Sequence, residues 1–220
     1  MSITEENYLK AIYALLTENN ASATNQSIAD KLQINPASVT DMLKKLNDKQ
    51  LIAYNRKTGA QLTVTGMQKA IQVIRKHRLW ETLLVQHLRF SWQEVHEVAE
   101  QLEHIQSEKL TNEIDRFLGY PQFDPHGDPI PNAAGELPNY HPILLAKASL
   151  HTKYQLSGIS EQNNHLLAYL DSLSLTIGSS IIVKNRIAFD NSIEVIIHNN
   201  QQCLFSYKLA NTLWVLPAIE

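Results

Sequence analysis

The chain has 220 residues, 44% hydrophobic and 19% charged, with a formal net charge of −3. That is ample for a buried core and suggests two or three small domains. No apolar run approaches the roughly 20 residues of a bilayer span, and a single cysteine, Cys203, excludes an intrachain disulfide and a cysteine-based zinc cluster.

The charge is segregated. Residues 1–80 carry eleven Lys/Arg against six Asp/Glu, residues 81–150 four against eleven, and residues 151–220 four against five. A basic first third can face phosphate and an acidic middle can hold cations, while the overall balance argues against a general polyanion binder. Met1 to Glu6 is acidic and has no signal-peptide apolar core. With the lone cysteine, this predicts a cytoplasmic protein.

In chain order, Tyr8, Leu9, Ile12, Tyr13, Leu15 and Leu16 follow a helical period, predicting a helix over Glu5–Leu16. A short amphipathic helix follows at Asn25–Leu32. Asn35 then offers an N-cap, with Pro36 at the first position of a helix through Leu46. The few residues between these two helices give helix-turn-helix spacing. Leu51–Tyr54 and Gln61–Val64 read as short strands around the basic turn Asn55–Ala60, completing a winged helix-turn-helix. In that fold the second helix of the motif enters the major groove. Asn35, Ala37, Ser38, Thr40 and Asp41 stand at its start, near base edges, and Lys44, Lys45, Arg56 and Lys57 are candidates for phosphate. The alternative is a winged helix used only for protein contacts, which the basic excess disfavours.

Thr65-Gly66 is expected to break the second strand and start a long helix over Met67–His87. That helix carries His77 and Glu81 four apart, beside an apolar stripe of Leu79, Trp80, Leu83, Leu84 and Leu88. Ser91 and Glu94 form a capping-box pattern opening a helix through His104. On it His96, Glu100, Glu103 and His104 fall within an arc of roughly 100°. Two imidazoles and two carboxylates on one face suit a divalent first-row metal, and the alternative is an ordinary solvated face. A further helix is expected over Glu108–Leu118, then a Pro/Gly-rich connector, 119–142, holding Asp124 and His126. Beyond it, a short helix at Glu161–Asp171 and β-rich runs at Ser180–Val183, Ile193–Ile197, Cys203–Tyr207 and Leu213–Leu216 indicate a small barrel.

Several segments, in the same order, resemble the metal-dependent repressors of the diphtheria toxin repressor and manganese transport regulator type. They are Glu6-Asn7-Tyr8-Leu9 with Ile12-Tyr13, Asn35–Thr40, Leu62–Gly66, Arg75–Leu79, Glu100–His104 and Asp124–Pro131. The resemblance spans essentially the whole chain and implies a mainly α fold with small β parts. Its three parts are a winged helix-turn-helix (1–73), a helical metal-binding and dimerisation domain (74–144), and a linker with an SH3-like, ferrous-transport-type domain (145–220). It implies a homodimer that binds palindromic double-stranded operators when loaded with Mn²⁺ or Fe²⁺, with no membrane and no small organic substrate. One site would use Asn7, Glu100, Glu103 and His104. Glu100 stands where iron-type members carry Cys, and the harder carboxylate favours Mn²⁺ or Fe²⁺. Asn7 replaces the Met or Asp of relatives and brings no charge. A second site would use His77, Glu81 and His96, Asp124 and His126 match a loop pair of some manganese sensors, and Gln162 or His165 are third-domain candidates.

Two other classes compete with this reading. A metalloenzyme is disfavoured because His96-Glu97-Val98-Ala99-Glu100 ends in Glu where a zincin needs His, and Glu100 opens a run where H-x-x-E-H needs His. A metal-independent winged-helix regulator is the third reading.

Overall fold

The computed structural model describes residues 1–18, 22–92, 94–139, 142–160, 164–198 and 200–218. The chain divides into two units, the first comprising Met1–Trp80, Val98–Gly119 and Ile130–Leu137, and the second Glu81–Glu97, Tyr120–Pro129 and Pro138–Glu220.

The first unit opens with α1 (Ile3–Glu18), α2 (Asn25–Leu32) and α3 (Pro36–Asp48). Thr24 caps α2 by accepting from the Ser27 amide. Asn35 caps α3, its Oδ1 accepting from the Ala37 amide at 2.9 Å. Gln33 takes a left-handed φ of 54°, which turns the chain tightly enough for only three residues to join the helices. Leu9, Ile12, Ile28, Val39, Leu43 and Leu46 are fully buried where α1, α2 and α3 meet. Each contributes about 1.5–3 kcal/mol by leaving water.

Strands β1 (Ile52–Asn55) and β2 (Gly59–Leu62) pair antiparallel with Asn55 opposite Gly59. The wing tip is therefore Arg56-Lys57-Thr58, shorter than the expected turn. The second strand sits two residues earlier than the sequence pattern suggests, because Val64 already begins α4 (Val64–Leu88). Thr63 caps this helix, its Oγ1 accepting from the Gly66 amide at 3.1 Å. Gly66 thus lies inside the first turn and breaks nothing. A Cβ there would stand 1.8 Å from the Leu51 carbonyl oxygen, so glycine is needed for close approach.

The first unit also takes the end of α5 (Val95–Leu102) and all of α6 (Glu108–Phe117). Arg75 of α4 binds Asp115 at 2.7 Å and Asn112 at 3.1 Å, fixing α6. Helix α5 stops at Leu102, two residues short of the expected His104. Glu103 and His104 lie in the turn that follows, although the Glu103 amide still donates to Ala99 at 2.9 Å.

The second unit is built on a six-stranded antiparallel sheet in the order β3-β8-β4-β5-β6-β7. The strands are β3 (Ile143–Leu144), β4 (Lys153–Ile159), β5 (Ser180–Arg186), β6 (Ile193–Ile197), β7 (Gln201–Phe205) and β8 (Leu213–Pro217), with α7 (Asn164–Ser172) and α8 (Tyr207–Ala210) beside them. Leu156, Ile181, Val183, Val195, Phe205 and Val215 fill its core with Leu167 and Leu170 of α7. The sequence pattern anticipates four of these six strands but neither the two-residue β3 nor β4, whose alternation is interrupted by a register shift between Leu156 and Gly158. The interruption has a purpose. Gly127, at φ 89°, packs its backbone on this bulge, and a Cβ there would stand 1.9 Å from the Ser157 carbonyl oxygen.

Candidate metal centre

In the first unit the carboxylate of Glu103 is fully buried. Its Oε2 is 2.6 Å from Nδ1 of His77 on α4. His77, Glu100 and Glu103 each present a donor atom within 4.8 Å of the others. Next to them, His104 Nδ1 is 2.6 Å from the buried Glu6 carboxylate of α1, whose other oxygen accepts from Gln106 at 2.7 Å. That bond turns His104 Nε2 toward Glu103 Oε1, 3.7 Å away. A carboxylate behind an imidazole fixes its tautomer and leaves the far nitrogen to ligate, the arrangement found behind metal-bound histidines.

Two residues of this cluster were not picked out by sequence reasoning. Glu6 orients His104, and Lys10 on α1 places its ammonium 2.6 Å from Glu100 Oε1 and 2.9 and 2.7 Å from the two oxygens of Glu103. The available signal is helical spacing: Lys10 lies one turn beyond Asn7, on the same side of α1. Asn7 is half-buried, and its Oδ1 is enclosed without a hydrogen-bond partner. It also lines a cleft of about 490 Å³ with Tyr8, Ile34, Ser38 and Met42. The two carboxylates of Glu100 and Glu103 with the imidazole of His77 form an oxygen-rich, partly nitrogen set, which fits Mn²⁺ or Fe²⁺.

The single arc expected from His96 to His104 is divided. Glu100, Glu103 and His104 belong to the first unit, and His96 belongs to the second. Of the expected trio, His77 falls in the first unit and Glu81 and His96 in the second. In the second unit His96 Nδ1 lies 3.2 Å from Glu81 Oε1. Glu81 also faces the connector pair: its Oε2 is 3.7 Å from His126 Nδ1, an ion pair rather than a hydrogen bond. Glu81, Asp124 and His126 are all buried and form a second cluster of donors. Asp124 Oδ1 accepts from the amides of His126 and Asp128 at 2.8 and 2.9 Å, which closes the loop. Burial alone would lower the His126 pKa. The carboxylates of Glu81 and Asp124 outweigh it and hold the imidazole up at about 9. His165 is exposed on α7, and Gln162 lies outside the described residues.

On the DNA-facing candidates, Asn35, Ala37, Ser38, Asp41, Lys44, Arg56 and Lys57 are exposed. Lys44 lies 3.4 Å from Asp41 on the same helix face. Thr40 is half-buried and does structural work, its Oγ1 accepting from Asn25 Nδ2 at 2.8 Å to join α3 to α2. Lys45 of α3 and Lys49 at its C-cap bind the buried Glu5 carboxylate of α1 at 3.0 and 2.7 Å. The hydrogen bond from Lys49, with help from Lys45, outweighs burial and lowers the Glu5 pKa to about 2. No described helix is long and apolar enough to cross a membrane.

Three family profiles match successive stretches of the chain: the iron dependent repressor N-terminal DNA binding domain at residues 1–60, the iron dependent repressor metal binding and dimerisation domain at 63–132, and the FeoA domain at 143–217. The iron-dependent repressor IdeR of Mycobacterium leprae is 34% identical over 128 residues, 58% of this chain and 55% of that protein. The chain thus spans about half the length of the mycobacterial relatives it matches. The diphtheria toxin repressor of Corynebacterium diphtheriae is 26% identical over 222 residues, covering 96% of this chain and 95% of that one. Among solved structures, a manganese-dependent transcriptional repressor in complex with manganese superposes with a TM-score of 0.81 at 30% identity, over 97% of this chain and all of that one. ScaR with bound Zn²⁺ superposes at 0.70 with 34% identity, over 97% and 99%. This chain belongs to the iron-dependent repressor family of DNA-binding regulators and carries the family's DNA-binding, metal-binding and dimerisation, and FeoA domains in that order.

Proposed function

We propose that this chain is a metal-activated transcriptional repressor that responds to Mn²⁺ or Fe²⁺ in the cytoplasm and controls genes of manganese and iron homeostasis. It acts as a homodimer on palindromic operators, with recognition helices roughly 34 Å apart, one duplex turn. The working division is residues 1–73 for DNA, 74–144 for metal and dimerisation, and 145–220 for the linker and C-terminal domain. Asn7, Glu100, Glu103 and His104 would hold one ion, and Glu81, Asp124 and His126, with His77 and His96 nearby in sequence order, are the further ligand candidates. Exposed Asn35, Ala37, Ser38 and Asp41 would face base edges, with Lys44, Arg56 and Lys57 on phosphates.

The observation that carries this reading is the position of α1. One side of the helix meets the acidic cluster through Glu6–His104 and Lys10–Glu100/Glu103. Its first turn grips the recognition helix α3 through Glu5–Lys45 and Glu5–Lys49. A change in how Glu100 and Glu103 are satisfied is therefore felt at α1 and passed to α3. Bound there, a divalent ion would supply two positive charges and directional bonds to carboxylate, amide and imidazole donors. Glu6 keeps His104 turned inward, and Glu103 stays dry and pre-positioned. Activation needs only that the DNA-competent arrangement bind the ion more tightly, by a coupling of about 1–3 kcal/mol.

Mobility-shift titrations on the chain's own promoter region test this. DNA binding in Mn²⁺ or Fe²⁺ and its loss in EDTA is the expected result. Equal binding in both would leave a winged-helix regulator that ignores metal.

A further inference from the structure

The Lys10 ammonium makes three contacts of 2.6–2.9 Å with two carboxylates that the previous reading assigns to a metal ion. Glu103 is completely buried, whereas the Lys10 side chain is about one-fifth exposed and that of Glu100 about one-third. A fully buried carboxylate such as Glu103 needs a compensating cation, and Lys10 is placed to be one. Lys76 adds positive charge in the same neighbourhood, near Glu6 and Glu103. His77 occupies one face of Glu103 and His104 approaches another.

We propose that Lys10 is a resident cation which the metal must displace, so that this one side chain sets how much Mn²⁺ or Fe²⁺ the protein requires before it responds. The inference rests on the assignment of Glu100 and Glu103 as ligands. An ammonium and a divalent ion cannot share the same carboxylate oxygens, because like charges a few ångströms apart repel strongly where water is excluded. Loading therefore moves the Lys10 head group outward, and its partial exposure gives it a path to solvent without unfolding α1.

The residue also explains how the metal-free protein tolerates a dry Glu103. Lys10 ties α1 to the end of α5 through a flexible four-carbon stem. A coordinated ion imposes bond directions on its ligands, whereas an ammonium on such a stem accepts many geometries. The resident cation thus keeps the cluster folded without fixing the angle of α1, and the incoming metal fixes it.

The test is direct Mn²⁺ binding to the full chain, by calorimetry and by electron paramagnetic resonance of free Mn²⁺, for wild type, Lys10→Met, Lys10→Arg and Glu103→Gln. Lys10→Met should bind tighter by about tenfold or more and melt lower without metal, with a larger rise in melting temperature on loading. Lys10→Arg keeps the charge and should bind no more tightly than wild type, and it serves as the readout if the Met variant does not fold. Unchanged or weaker binding by Lys10→Met, or tighter binding by Lys10→Arg, overturns the inference. If Glu103→Gln loses a Mn²⁺ site while Lys10→Met leaves affinity unchanged, the displacement idea fails and the site stands. If Glu103→Gln binds Mn²⁺ as wild type does, the ligand assignment itself fails, and the inference with it.

Discussion

The two acidic clusters use similar donors but balance their charge differently. Around Glu103 the compensating cation is a lysine ammonium from α1. Around Glu81 and Asp124 it is the His126 imidazole, which those carboxylates keep protonated up to a pH of about 9. Filling the first cluster means moving a side chain, and filling the second means losing a proton. The first is tied to α1 through Glu6 and Lys10, and α1 to the recognition helix through Glu5. On the proposed reading, this contrast puts the trigger at the Glu103 cluster and pH sensitivity at the Glu81 cluster.

The largest expected effect comes from breaking the first. Glu103→Ala should abolish metal-dependent DNA binding, a loss of about 100-fold or more for a ligand and buried anchor removed together. It should leave the dimer intact by light scattering. A normal metal response in this variant would remove the cluster from the account.

The second cluster responds to acid. Because the metal-bound imidazole must be neutral, Mn²⁺ affinity at Glu81, Asp124 and His126 should fall by about tenfold for each pH unit below 9. Glu81→Gln removes a ligand and should lose this site in calorimetric titrations, and a pH-independent second site in the unsubstituted protein would contradict the assignment. The sign for stability is opposite. The raised pKa of His126 stabilises the metal-free protein fully below about 6.5, and this contribution is lost as pH rises through 9.

A smaller effect is expected at Glu5. Its lowered pKa of about 2 means that its ion pairs with Lys45 and Lys49 stabilise the fold above about pH 4.5 and fail as pH falls toward 2. Those lysines are half-exposed, so solvent screening reduces the gain to about 1–2 kcal/mol. Glu5→Gln should cost that much at pH 7 and flatten the acid limb of a denaturation curve. An unchanged acid limb would place the acid-sensitive groups elsewhere.

The smallest effect belongs to the wing. Arg56→Ala with Lys57→Ala should weaken binding to every DNA sequence alike and reduce the magnitude of the salt slope by about two, without touching metal affinity. A change in sequence preference would mean that the wing reads bases.

Much of the winged helix was legible because its signals are local. The cap at Asn35, the proline after it and the spacing of Ile28, Val39 and Leu43 act over a few residues, and α2 falls on its expected bounds. The candidate metal donors were legible as types and only partly as groups. Helical spacing puts His96 with Glu100 and Glu103, but α5 ends before Glu103 and His96 faces Glu81 instead. The role of Lys10 was not legible, because a lysine on an amphipathic helix reads as a solvated residue until the fold brings Glu103 beneath it. Strand β4 was hidden for a similar reason. Its alternation is broken at Ser157-Gly158, where the loop carrying Asp124 and His126 comes close.

The most direct measurement is an anomalous difference map, at the manganese edge, from crystals grown in excess Mn²⁺. The account predicts a peak bounded by Glu100, Glu103 and His104, with the Lys10 ammonium withdrawn from both carboxylates. A well-ordered map with no peak there, and Lys10 still bonded to Glu103, would contradict it.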